Sequence, residues 1–347
     1  GLIRSWNDTD WMGLPFRVEA NVAPLIGAEA GEVVACDSIW VNLFKLLAAA
    51  FALRPERRVL VTDRDNFPTN NYIAEGLGNL LGVERRLVAD DEVVDAIDEV
   101  VAVVSLTHVN YRTGRIYDMA AVNRVAAENG ALTLWDLSHS AGAVPLDLNG
   151  TGTDLAVGCG YKYLNGGPGA PAYLFVAARH HDAIRQPLTG WIGHAAPFDF
   201  SGAYCPATGI VRMLTGTPPV LALSVMEAGL DILAEAGMDA LRHKSVALSE
   251  LFISRYAGLG LELLSPEDSA LRGSKVSYAY ENVYGAMQAL IARGIIGDFR
   301  QPNVMRFGFA PLYLRHVYVW DAADALGQVF NNEEWRNHSA EGGGAVT

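Results

Sequence analysis

The sequence predicts an α/β fold: a large domain with a mainly parallel sheet flanked by helices, followed by a smaller α+β domain. Three observations lead there. Short apolar runs alternate with amphipathic stretches through the first part of the chain, and parallel strands need helical crossovers between them. That alternation ends at Pro219, after which two long helical patterns follow one another. The length of 347 residues suits two domains, at roughly 150 residues per domain.

The elements follow in order. Residues 59–62 read as a buried strand, and residues 69–81 as a helix with Ile73, Leu77, Leu80 and Leu81 on one face. Residues 101–106 form the next strand. Asp118 then caps a helix running to Glu128, with Met119, Val122, Val125 and Ala126 spaced to face the sheet and Gly130 as its stop. Residues 132–135, 155–157 and 172–176 supply three more strands. Beyond Pro219 the pattern gives helices over 221–234 and 238–257, the second stopped by Gly258. A strand over 276–280, a helix over 284–292 and a strand over 304–309 complete the smaller domain. The expected limits are 1–218 for the large domain and 219–336 for the small one. A tail, 337–347, is expected to be disordered, because its Gly342-Gly343-Gly344 run buries little.

Composition removes several functions. Half the chain is hydrophobic and 19% is charged, enough for a sizeable core. Against 26 Lys and Arg stand 39 Asp and Glu, a net charge of −13. Such a surface repels phosphate backbones and anionic lipid, so neither nucleic-acid nor membrane binding is expected. No apolar run approaches the roughly 18 residues of a membrane span. Cys36, Cys159 and Cys205 are too few and too scattered for a disulfide framework, and they fit a reducing, cytoplasmic setting. The eight histidines fall in no metal-binding spacing, and His180-His181 reads as an exposed pair. The chain opens at Gly1 without a signal-peptide pattern, which suggests a fragment or a processed chain.

Chemistry concentrates in residues 135–171. Asp136 ends a strand, where open α/β sheets place their ligands. His139 comes three residues later. Lys162 lies between Tyr161 and Tyr163, ahead of the Gly-rich run Gly166-Gly167-Pro168-Gly169. A desolvated lysine amine is a nucleophile for a carbonyl, and an aspartate can hold a proton on a pyridine nitrogen. Pyridoxal 5'-phosphate (PLP) chemistry asks a protein for both. On spacing alone, two unrelated charges or a plain ion pair are the favoured reading. The Gly-rich run has neither GxGxxG nor Walker spacing.

The run from Trp135 to Pro145 (Trp-Asp-Leu-Ser-His-Ser-Ala-Gly-Ala-Val-Pro), followed by Tyr161-Lys162-Tyr163-Leu164-Asn165-Gly166-Gly167-Pro168-Gly169, resembles kynureninase. That family consists of fold-type-I PLP enzymes related to class V aminotransferases and cysteine desulfurases. Further matches are Asn66-Phe67-Pro68-Thr69, Thr107-His108-Val109-Asn110-Tyr111-Arg112-Thr113-Gly114, Gly190-Trp191-Ile192-Gly193-His194, Gly216-Thr217-Pro218-Pro219 and Met305-Arg306-Phe307-Gly308. The resemblance implies a fold-type-I PLP-transferase architecture and a homodimer with shared active sites. Lys162 resembles the Schiff-base lysine, Asp136 the partner of the pyridine nitrogen, and His139 the residue beside the cofactor ring. Phe67 is similar to the aromatic that stacks on that ring, and Tyr161 to the tyrosine that touches the phosphate and moves protons. Thr107, Trp191 and Thr217 match cofactor contacts, the last two across the dimer interface. Thr69 and Asn70 fall in the same cofactor-binding stretch as Phe67. Arg306 matches the anchor of the substrate carboxylate, and His194 the aromatic end of the substrate pocket. The implied reaction is hydrolysis of the Cβ–Cγ bond of L-kynurenine, or a ring-substituted kynurenine, to anthranilate and L-alanine. Catabolism, NAD biosynthesis and secondary metabolism all stay open as its setting.

Three departures accompany the resemblance. Where the family has small hydroxyl residues at the helix N-terminus that seats the phosphate, this chain has Ile39 and Trp40 after Ser38, and Trp40 is bulky enough to fill the seat. Asn70 stands in place of a carboxylate. The chain also starts where the family already has an N-terminal segment with a glycine-containing loop. These leave a kynureninase-like scaffold that has lost PLP as the alternative reading. A desulfurase or aminotransferase is a third, with Cys205 as the only suitable loop cysteine.

Overall fold

The computed structural model describes residues 3–255 and 259–338. Packing divides the chain into two units, 1–108 with 118–235, and 109–117 with 236–347. The division at Glu235–Ala236 falls further along the chain than Pro218, and it assigns a nine-residue loop, Val109–Tyr117, to the second unit.

The first unit holds α1 (Ser5–Asp8), α2 (Leu14–Ile26), β1 (Val33–Ala35), α3 (Ile39–Leu53), β2 (Val59–Asp63), α4 (Pro68–Leu81) and β3 (Glu84–Val88). After them come β4 (Val101–Thr107), α5 (Met119–Glu128), β5 (Leu132–Asp136), β6 (Leu155–Cys159), β7 (Ala172–Val176) and α6 (Val220–Ala236). Its seven strands form one sheet in the order β1-β7-β6-β5-β4-β2-β3. β3, β2, β4, β5 and β6 run parallel, while β7 is antiparallel to both β6 and β1. Strands β2, β4, β5, β6 and β7 are buried along their whole length, as sheets covered on both faces require. Helix α3 covers one face, with Leu43, Leu46, Leu47 and Ala50 in the same core cluster as Leu134, Leu155 and Leu174.

Helix limits follow their caps. The Ser38 side chain accepts from Val41 N–H at the start of α3, and the Asp118 carboxylate from Ala121 N–H at the start of α5. Pro68 occupies the first turn of α4, and Gly82, at φ 65°, ends it in the left-handed conformation glycine favours. Of the four apolar residues expected on one face of α4, only Leu77 is deeply buried. Leu80 is 70% exposed, because a wide face of that helix meets solvent.

The second unit holds α7 (Met238–Ser254), β8 (Glu262–Leu263), β9 (Lys275–Ala279), α8 (Val283–Ala292), β10 (Asp298–Arg300), β11 (Val304–Gly308) and α9 (His316–Asn331). Its antiparallel sheet runs β10-β11-β9-β8. One face carries Val276, Tyr278, Met305 and Phe307 into a core with α7, α8 and α9. The expected stop at Gly258 and the tail from Ser339 on lie outside the described residues, while Asn337, the first residue of the expected tail, ends a short 3-10 turn, Glu334–Asn337. Among the described residues no helix is long and apolar enough to cross a membrane.

Candidate active site

Four adjacent parallel strands present their carboxyl ends side by side, and the expected residues of the first unit stand on them. β2 leads through Asn66 and Phe67 into α4, β4 ends at Thr107, β5 ends at Asp136, and β6 leads through Gly160 to Tyr161 and Lys162. The register pairs Thr107 directly with Asp136.

Asp136 is 3% exposed. Its Oδ1 accepts Ser138 N–H at 2.9 Å, and its Oδ2 accepts the Asn70 amide at 3.0 Å. The same amide nitrogen lies 3.0 Å from Thr107 Oγ1 and 3.1 Å from Asn66 Oδ1. Thr107 in turn donates to Asn66 Oδ1 at 2.5 Å. Three oxygens around one NH2 group fix which way the amide points, since the flipped amide would set oxygen against the carboxylate. Asn70 Oδ1 and Ser138 Oγ are left as buried polar atoms without a partner.

Lys162 Nζ lies 3.1 Å from His139 Nε2 and 5.6 Å from the centre of the Tyr161 ring. Tyr161 is half exposed, and its phenol is pushed up to about 12, first by burial and then by neighbouring Cys159 and Asp136. It is therefore a protonated phenol at neutral pH. The strap that carries these residues needs its glycines. A Cβ on Gly160 would sit 2.4 Å from the carbonyl oxygen of Pro171, and Gly167 and Gly169 adopt φ 77° and 78°.

At the start of α3, Trp40 stacks on Phe67 with ring centres 5.4 Å apart and planes 10° from parallel. One face of Phe67 is thus covered by the bulky substitution that the sequence singled out. The first-turn N–H groups of α3 have no intrahelical acceptor, so the end stays anion-seeking although Ile39 and Trp40 bring no hydroxyl. Before it, Asp37 at φ 48° pairs with fully buried Lys45, whose Nζ also donates to Met213 O at 2.8 Å. Asp37, Cys36 and the 214–219 segment line a small cavity of about 60 Å³, and Thr217 is on its wall. Thr69 is half-buried on the first turn of α4.

Trp191 and His194 lie on a separate loop. Trp191 packs against Phe198 and Phe200. His194 Nδ1 accepts Ala196 N–H at 2.9 Å, so its Nε2 carries the proton and donates to Ala203 O at 3.2 Å. Arg306 belongs to the second unit, on β11. It donates to Tyr111 O at 2.6 Å and to Asp298, and burial lowers its pKa against the opposing pull of Asp298.

One expectation needs correction. His180 and His181 are not an exposed pair. His180 Nε2 sits 2.7 Å from Asp154 and His181 Nε2 lies 2.9 Å from Val176 O, so both brace the end of β7. Asp154, partly buried, is the partner of His180. Burial alone would raise its pKa, but hydrogen bonds from His180, Thr133 and Arg179 bring it below the usual carboxylate value. Asn66 and Ser138, both part of the Asp136 network, are absent from the site read in the sequence.

These residues fit PLP. A buried carboxylate held by two donors suits a pyridinium nitrogen, and the orphaned acceptor of Asn70 beside it awaits a donor. A lysine amine and an anion-seeking helix end complete the set. The fold agrees. The chain superposes on the cysteine desulfurase of Thermococcus onnurineus NA1 with a TM-score of 0.77 at 17% identity, over 94% of this chain and 84% of that one. A C-DES mutant with glycine covalently linked to its PLP cofactor gives a TM-score of 0.79 at 14% identity, over 94% and 86%. Fold and site together define the class of fold-type-I PLP-dependent enzymes.

Within that class the sequence is decisive. It is 52% identical to the kynureninase of Burkholderia pseudomallei (strain 1106a) over 97% of this chain and 83% of that protein. It is 49% identical to the kynureninase of Pseudomonas fluorescens over 96% and 83%. The family model of the kynureninase C-terminal domain matches residues 241–326. The chain belongs to the kynureninase family.

Proposed function

We propose that this chain is a PLP-dependent hydrolase that cleaves the Cβ–Cγ bond of L-kynurenine, or of a ring-substituted kynurenine, giving anthranilate or its derivative and L-alanine. The observation that carries the reading is the row of strand ends bearing Lys162 with His139 and Asp136 with Asn70, in a chain half identical to kynureninases. Bound PLP supplies the electron sink. Lys162 would hold the cofactor through its amine, and that amine, when free, would take the proton from the substrate α-carbon. Asp136, held from both sides, keeps the ring nitrogen protonated. His139 and Phe67 would hold the cofactor ring. Thr107 and Asn70 fix Asp136, and Thr69 adds its hydroxyl on the first turn of α4. Ile39 and Trp40 contribute backbone N–H groups to the phosphate. Tyr161, protonated at neutral pH, delivers and recovers protons beside Lys162. Water adds to the substrate's γ-carbonyl, whose collapse releases the aromatic acid. The remaining three-carbon fragment regains a proton and leaves as alanine.

Arg306 holds the substrate's α-carboxylate, a task suited to a planar guanidinium. His194 lines the aromatic end of the substrate site. Trp191 and Thr217 serve the cofactor of a second copy in a homodimer, and the enzyme works in the cytoplasm.

The test begins with PLP. The protein is loaded, freed of excess cofactor, and its visible spectrum is recorded before and after borohydride. A band abolished by reduction, with the label mapped to Lys162 and with anthranilate released from L-kynurenine, is the expected result. A colourless protein without turnover would overturn the reading, and so would full turnover by Lys162→Ala.

A further inference from the structure

The sheet of the second unit has an apolar face and a polar one, and the polar face is ordered around Arg306. Antiparallel register sets Asp298 of β10 directly opposite Arg306 of β11, and directly opposed residues share a face. Arg306 is 10% exposed, and its guanidinium is held at both ends. One terminal nitrogen donates to Asp298 Oδ2 and the other to Tyr111 O at 2.6 Å, while Nε has no partner. Asp298 is itself held, because its Oδ1 accepts from Arg300 at 2.8 Å. Arg300 lies two residues along the same strand, on the same face.

An arginine side chain has several soft torsions, and its value in recognition lies in the fixed plane of its donors. A carboxylate that binds through two parallel N–H···O bonds needs that plane set in advance. Here two acceptors on different backbone segments set it, one on a neighbouring strand and one on the 109–117 loop. Arg300 keeps Asp298 from swinging away. We propose that Asp298 is the positioning residue of Arg306, fixing the guanidinium plane on which the substrate's α-carboxylate docks. The inference rests on Arg306 being the carboxylate anchor, as proposed above.

The test uses the PLP-loaded enzyme with L-kynurenine as substrate and its decarboxylated amine as a binding probe. Asp298→Asn keeps the shape and one acceptor oxygen but loses the charge, so it is less disruptive than Asp298→Ala. We expect KM for L-kynurenine to rise about tenfold, the loss of roughly one good charge-assisted contact. We expect kcat to stay within about threefold, since the carboxylate contact is made in ground and transition states alike. Affinity for the decarboxylated amine and for PLP should not change, so the preference for the carboxylate falls by the same factor as KM rises. A merely structural role would move all of these together or none. Unchanged or lower KM, or an equal loss of affinity for the amine, would overturn the proposal. Arg306→Gln is measured beside it. If Arg306→Gln loses the carboxylate preference and Asp298→Asn keeps it, positioning by Asp298 is wrong and the anchor stands. If both keep it, the anchor itself is wrong.

Discussion

Replacing Asn70 by leucine tests the network around Asp136. Leucine keeps asparagine's branch at Cγ but is larger, so an overpacking cost of about 1–3 kcal/mol adds to the loss of the donating NH2 group. In the wild-type protein that group donates to Asp136 Oδ2 at 3.0 Å. Without it, the nearest side-chain donor to that oxygen is the Thr107 hydroxyl at 3.5 Å, already committed to Asn66 at 2.5 Å. A hydrogen bond to a charged group is worth about 1.5–3 kcal/mol, and leaving a buried acceptor unmet adds to the loss, so about 2–4 kcal/mol is at stake. For a unit of more than 200 residues each kcal/mol moves the melting midpoint by roughly 2–4 °C, which gives a fall of roughly 4–16 °C from this contact alone. Cofactor affinity should drop by about tenfold or more, because Asp136 loses the contact that aims it. The assay is a thermal melt of the cofactor-free protein at one scan rate, paired with a PLP titration read from quenching of tryptophan fluorescence. A midpoint within about 2 °C of wild type together with affinity within about twofold would refute the reasoning, since both lie well below the expected loss. It would mean that Ser138 N–H alone holds Asp136.

Two further outcomes follow from burial and close approach. Gly160→Ala places a methyl 2.4 Å from Pro171 O and 2.6 Å from Met226 Sδ, so the strap leading to Lys162 must shift. A stability loss of about 1–3 kcal/mol, with less borohydride-fixed cofactor by mass spectrometry, is expected; wild-type occupancy would contradict it. For the cysteines, burial first, then the charge of Asp37, pushes the Cys36 thiol from 9.0 to about 12 against the opposing pull of Lys45, and burial also raises Cys159. Thiolates are the reactive form, so at pH 8 a thiol reagent should label Cys205 alone in the native chain and all three cysteines in denaturant. The sign for stability is that of a raised pKa: the contribution of Cys36 is full below pH 9 and is lost as pH rises toward about 12. Rapid native labelling of two or three thiols would show that the burial is wrong.

Strands β2, β4, β5, β6 and β7 were legible because each is a short apolar run buried on both faces. β3 was not, since its Glu84-Arg85-Arg86 half is an edge whose arginines pair outward with Glu75 and Asp98. β1 and β10 are three residues each, too short for any period to show. α2 and α9 went unread although both are amphipathic, as did the two-residue β8. In the site, Asp136 and Lys162 stood out as charges in an apolar stretch, and the resemblance gave them roles. Asn66, Ser138 and the reach of Asn70 to Asp136 left no local trace. Neutral side chains form no charge pattern, and the pairing of Thr107 with Asp136 depends on parallel register between strands 29 residues apart. Asp298 was equally silent, because its meaning comes from the hairpin that sets it across from Arg306.

That long-range register also explains how the site is fixed. Asn66 and Asn70 come from the β2–α4 connection, Thr107 from β4 and Asp136 from β5, so one hydrogen-bond network ties together three backbone segments. The Trp40–Phe67 stack adds the start of α3 to the start of α4, a pair worth about 0.5–1.5 kcal/mol beyond the area it buries. Each segment is already held by a fully buried strand or a capped helix. The network therefore selects among side-chain orientations on a rigid frame, the cheapest kind of order to impose. Trp40 belongs to that bracing. It gives up a hydroxyl at the anion-seeking end of α3, and in return it fixes the ring of Phe67 relative to the helix whose backbone N–H groups remain.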